Sequence, residues 1–172
     1  MKSLADQLGE TAHCSLLQRK ARRLGVPDLA AAIRLAVARG ARHYASAWAP
    51  AESDPGPDAL PDEELVALLL LGAHPFEPFA IRCAAQLVSR CDPARLARLA
   101  RLERVARPLA HIAGAGLAHD PARAAQWRDL LGRLGRLPPV PAGRLPHWTR
   151  FVSHSGLTRR GGPRTDWLHA AP

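Results

Sequence analysis

The chain has 172 residues, with 24 basic groups against 15 acidic ones for a formal net charge of +9, and three cysteines. A domain of this length buries roughly 70% of the surface its unfolded form exposes and needs no disulfide staple, and the odd, scattered set Cys14, Cys83 and Cys91 suits a reducing compartment better than a disulfide framework. The polar, charged start MKSLADQLGE argues against a secretory leader, and the longest apolar run, LVALLLLGA at 65–73, falls far short of the roughly 20 residues of a membrane span, so a soluble, cytoplasmic protein without membrane contact is expected.

In chain order, Ser3 and Asp6 resemble a capping box, and Leu4, Leu8, Ala12, Leu16, Leu17, Ala21 and Leu24 recur at helical spacing until Gly25 and Pro27 stop the helix. A second helix is predicted over about 28–48, with Leu29, Ile33, Ala36, Val37, Gly40, Tyr44 and Ala47 on one face. The acidic, proline-rich stretch AESDPGPDALPDEE follows, and its segment 50–60 reads as a linker inside the domain, either lying against basic neighbours or, the commoner case, staying solvated. Pro61 then opens a helix whose Asp62, Glu63 and Glu64 complement the positive N-terminal end of the helix dipole. HPFEP at 74–78 is a turn, and the helix after it, over about 78–91, aligns Phe79, Cys83, Leu87 and Cys91.

DPAR occurs at 92 and again at 120, and each copy offers Asp as N-cap and Pro as first helical residue. The spacing holds one helix and one connection, which suggests antiparallel stacked helices. GAGLAHD at 114–120 contains a GxG without a preceding strand, so it reads as a helix break, not a nucleotide fingerprint. A last body helix over about 121–135 places Ala124, Trp127, Leu130, Leu131 and Leu134 on one side, after which Pro138, Pro139, Pro141 and Pro146 end regular structure. No alternating run of β-branched residues predicts a strand.

The basic excess is almost all arginine: 22 of the 24 basic residues, Lys2 and Lys20 being the exceptions. Together with the abundance of Ala, Leu, Pro and Gly, whose codons are GC-rich, this makes base composition a sufficient source of the charge. Arg95, Arg98, Arg101, Arg104 and Arg107 look like a phosphate ladder, but a spacing of three slips back by about 60° per step at ~100° per residue, so they spiral around the helix as a solvated surface, with Glu103 able to pair with Arg107. ARRLGVPDLAAAIRLA at 21–36 has Ala21, Gly25 and Val26 at helix-turn-helix offsets. A recognition helix would need apolar residues where Ala31 and Arg34 stand, and Gly-Val-Pro is an ordinary helix stop.

His13 with Cys14, and His111 with His119 and Asp120, lack compact metal-ligand spacing. Ser153, His154 and Ser155 lack a nucleophile elbow. Neither a cofactor nor a catalytic residue is expected, although a pocket joining His111, His119 and Asp120 would support an enzyme.

The remaining candidate is the C-terminal tail, where Trp148, Arg150, Phe151, Arg159, Arg160, Arg164 and Trp167 form a basic aromatic set. Trp148, Phe151 and Val152, at i, i+3 and i+4, suit one helical turn, and Leu157, Trp167 and Leu168 supply later anchors. Apolar anchors alone do not offset the backbone entropy of ordering this segment, so either its arginines bond to helix C-termini on the body or a partner completes it.

The expected fold is thus all-α: a helical domain over 1–137, with about six antiparallel helices in a bundle or short helical-pair array, and an irregular tail over 138–172. The expected function is a noncatalytic helical module that binds a protein partner or a second copy. The alternative is a nucleic-acid binder, with the tail's arginines on phosphates and its tryptophans stacked on bases.

Overall fold

The computed structural model describes residues 15–41, 47–72, 78–141, 143–157 and 161–171. Their architecture is all-α, with one small hairpin near the C-terminus. The helices are α1 (Leu16–Arg23), α2 (Leu29–Ala38), α3 (Asp62–Gly72), α4 (Pro78–Leu87), α5 (Pro93–Leu102), α6 (Ala106–His119) and α7 (Ala124–Leu134), followed by β1 (Val152–Leu157) and β2 (Pro163–Trp167). The helix start expected at Ser3 and most of the turn at 74–78 lie outside the described residues.

Helix α3 sits at the centre. Leu65, Val66, Ala67, Leu68, Leu69 and Leu70 are each at most 7% exposed, and a helix that is apolar on every side is stable only when buried on every side. Helices α1, α2, α4 and α5 pack against it. A second group joins on the far side of α5: α7 packs on α5 and α6, and β2 packs on α6. Among the described residues no helix is long and apolar enough to cross a membrane.

Local signals explain most helix ends. Ser15, Asp28 and Asp92 cap α1, α2 and α5, accepting from the backbone N–H groups of Gln18 (2.9 Å), Ala31 (2.8 Å) and Arg95 (2.8 Å). Helix α1 ends in a Schellman motif at Gly25, where Val26 N–H reaches the Ala21 carbonyl and Gly25 N–H that of Arg22. Helix α2 ends the same way at Gly40 (φ 102°), eight residues before the predicted stop near 48, because the glycine adopts the left-handed cap that terminates a helix.

Three predictions in the middle of the chain are corrected. The span between the DPAR copies holds two helices: α5 closes in a Schellman motif with Arg104 at φ 58°, and Val105 N–H bonds to the Ala100 carbonyl. The expected break at GAGLAHD does not occur, since α6 runs through both glycines to His119. Gly116 serves packing instead, for a Cβ there would fall inside the Trp127 indole. The second DPAR copy likewise departs from the first. Pro121–Arg123 form a 3₁₀ turn before α7, and Asp120 makes no cap hydrogen bond to the backbone.

The acidic linker lies against a basic neighbour, while Glu52, Ser53, Asp54, Pro57 and Asp58 remain exposed. Arg39, 9% exposed, donates to both carboxylate oxygens of Asp54 (2.7 and 2.5 Å), to the Leu60 carbonyl (2.6 Å) and to Asp62 (3.1 Å). A buried guanidinium needs its donors satisfied, and the linker supplies the acceptors. The Asp54 contact raises the pKa of Arg39 and lowers that of Asp54.

Gly40 separates two costs of adding a methyl group. A Cβ there would collide with the backbone of Ala171, whereas at Gly25 (φ 84°) it would meet nothing. Gly25→Ala is expected to lower stability by about 1 kcal/mol, and Gly40→Ala by clearly more, in urea unfolding of the two variants.

Candidate functional site

The C-terminal segment that carries the sequence-predicted site folds back across α6 and α7. Trp148–Arg150 form a single 3₁₀ turn, as the apolar spacing predicted, and Val152 then starts β1. β1 and β2 pair antiparallel, with Val152 opposite Trp167, Ser153 opposite Asp166 and His154 opposite Thr165, and the register shifts between His154 and Leu157. Sequence reasoning missed this hairpin because VSHSGL and PRTDW have few β-branched residues. Burial drives it instead: Val152 and Trp167, paired across the strands, are both 6% exposed.

The aromatic residues of this segment belong to the core. Phe151 is 2% exposed, and Trp127, from α7, is fully buried. The Trp167 ring meets Trp127 edge-on at 5.3 Å and lies tilted against Phe151 at 5.5 Å. Trp148 stacks on His119 of α6, with centroids 3.7 Å apart and planes 13° from parallel. Beneath this cluster Asp120, 4% exposed, accepts from Trp127 Nε1 at 2.9 Å and lies 3.4 Å from His169 Nε2. The carboxylate that the repeat suggested as a helix cap therefore joins α6, α7 and the end of the chain.

The polar contacts that hold the segment run in both directions. The helical body donates to tail carbonyls: Arg107 to Pro139 (2.9 Å) and Arg90 to Ala171 (3.4 Å), while His111 Nε2 lies 2.9 Å from the Pro146 carbonyl oxygen. Backbone N–H groups of Ala170 and Ala171 donate to the carbonyls of Gln86 (3.1 Å) and Gly40 (2.9 Å). Helix α7 is held similarly, with Gln126 and Arg123 donating to carbonyls of the turn after α4.

The structure thus splits the predicted site. Phe151 and Trp167 are buried, and Trp148 is half-buried with one face on His119. Arg150 and Arg164 are exposed, Arg164 lying 3.4 Å from Asp166 on its own strand. Arg159 and Arg160 lie outside the described residues. His111, His119 and Asp120 are each engaged in holding the tail. No group of three or more His, Cys, Asp or Glu among the described residues is arranged for a metal ion. Burial pushes the Cys83 thiol up to about 12 and Cys91 well above its ordinary range, so both pack as neutral groups.

Sequence reasoning missed a second surface, on α1. It placed Leu16, Leu17, Ala21 and Leu24 on one inward face, but only Leu17 and Ala21 are buried, while Leu16 is 71% exposed. Adjacent leucines project about 100° apart, so one of the pair had to leave the core. Leu16, Arg19, Lys20, Arg23 and Leu24 line an open groove of about 370 Å³. Lys20 pairs with Glu64 of α3 at 2.6 Å. Leu17 N–H donates to Glu103 at 3.4 Å, which sets the start of α1 beside the end of α5, where Leu102 is 67% exposed.

No protein-family model matches this sequence, and comparisons with curated proteins and with solved structures return no match.

Trp167→Ala is expected to destabilise the whole chain by about 3–5 kcal/mol, whereas Arg150→Ala should stay within about 0.5 kcal/mol, both read from chemical unfolding. Burial pushes the His169 imidazole below its ordinary 6.5, with Asp120 opposing the shift and Arg123 adding to it. The unfolded chain then takes up this proton before the folded one does. The contribution is complete above about pH 6.5 and is lost as pH falls toward the depressed folded value. His169→Gln should flatten the fall in melting temperature between pH 7 and pH 5.

Proposed function

We propose that this chain is a noncatalytic helical protein-interaction module whose contact surface is the outer face of α1 with the adjoining end of α5. One observation carries the reading. Leu16 and Leu102, 71% and 67% exposed, each precede one partner of the Leu17–Glu103 contact, so two large apolar side chains stand exposed at a junction of two rigid helices. Exposed leucines at such a junction suit a partner more than solvent.

The nucleic-acid alternative draws less support. Its arginines Arg150 and Arg164 are exposed, but the rings that would stack on bases are occupied, Trp148 by His119 and Trp167 by Trp127 and Phe151. A stacking platform needs an open ring face.

The chain offers a direct assay, because Lys2 and Lys20 are its two lysines and Lys20 lies on the α1 face. An amine-reactive cross-linker applied in cell extract should join Lys20 to a recurring protein, identified by peptide mass spectrometry. A Leu16→Glu/Leu102→Glu variant with an unchanged melting temperature should lose that product. Equal cross-linking of both proteins would defeat the reading. A product joining Lys20 to a second copy of the chain, with a matching dimer mass in light scattering, would make the module self-associating.

A further inference from the structure

The face of α1 also specifies what kind of partner fits it. Leu16, Arg19, Lys20, Arg23 and Leu24 stand at i, i+3, i+4, i+7 and i+8, which is one side of a helix. At ~1.5 Å rise per residue, the two leucines lie about 12 Å apart along the axis, with the cations between them. Lys20 is engaged by Glu64, whereas no acidic residue among the described residues pairs with Arg19 or Arg23. The result is a groove with exposed Leu16 at one end, half-buried Leu24, packed partly against the core, at the other, and unneutralised guanidinium groups in the middle.

Resting on the interaction-module reading, we infer that this groove binds an acidic amphipathic helix, one with apolar side chains two turns apart and carboxylates between them. Each part of the site has a counterpart in such a ligand. Arginine forks donate to carboxylates, and the leucines at either end take the apolar side chains in the manner of helix-in-groove recognition. A phosphate backbone supplies anions but nothing apolar for Leu16 and Leu24. A membrane surface requires a helix to give up its apolar face, and the apolar face of α1, Leu17 and Ala21, is already buried in the core.

The test is fluorescence anisotropy on the full chain with a labelled helical peptide of about 16 residues, carrying leucines two turns apart and glutamates between them. Micromolar binding is expected, weakened by about tenfold or more in Arg19→Glu/Arg23→Glu and in Leu16→Glu, and weakened by added salt. Arg19→Gln/Arg23→Gln gives the same readout without charge reversal, should the glutamate pair disturb folding. The same peptide with lysine in place of glutamate should not bind. Failure of the acidic peptide to bind would overturn the inference, as would equal affinity for both peptides or for the arginine variants. So would tighter binding to single-stranded oligothymidylate or to phosphatidylserine vesicles, or displacement of the peptide by the chain's own dimerisation. Should the peptide fail while Lys20 cross-linking still depends on Leu16, the acidic ligand class falls and the module stands. Should both fail, the surface has no such role.

Discussion

The structure depends on one constraint, the complete burial of α3. Six consecutive apolar residues, Leu65 to Leu70, cannot present a polar stripe to water whatever way the helix turns. Other helices must therefore surround it, and α1, α2, α4 and α5 do so. The acidic first turn of α3 limits how far this enclosure extends. Glu64 reaches Lys20 of α1, Glu63 accepts from the Asp92 N–H at the start of α5, and Asp62 meets Arg39 and Arg90. One helix thus organises the apolar core with its body and the polar rim with its N-terminal end.

The rest of the molecule is organised around polar groups that had to be satisfied once buried. Asp120 and Arg39 play matching parts. The carboxylate gathers Trp127 and His169 and so secures the C-terminal segment against α6 and α7. The guanidinium gathers Asp54, Leu60 and Asp62 and so folds the linker onto α2 and α3. A buried charge left without partners would cost several kcal/mol, so each hub makes its segment part of the fold. The tryptophans of the tail are then spent on cohesion.

This use of the aromatic residues lay beyond a composition-level argument. Aromatic residues clustered with arginines suit an interface and a core equally well, and only the contacts of Trp148, Phe151 and Trp167 distinguish the two. The α1 face carried a weaker signal. The adjacent pair Leu16 and Leu17 could have shown that one leucine faces outward, but not whether it meets solvent or another element.

The sequence alone determined the helical class, the Asp92 cap of α5, the stop of α1 at Gly25 and the start of α3, since each follows from interactions within a few residues of chain. It also predicted a helical turn at Trp148 from spacing alone. Tertiary structure decided the rest: that Asp120 serves Trp127 in place of a helix end, that Gly116 is a packing notch inside a continuous helix, that the linker closes on Arg39, and that two strand-poor segments pair as a hairpin. The physical reason is the same in each case. These outcomes depend on the desolvation of groups carried by different elements, and the partners that offset it are brought together only once the core has formed.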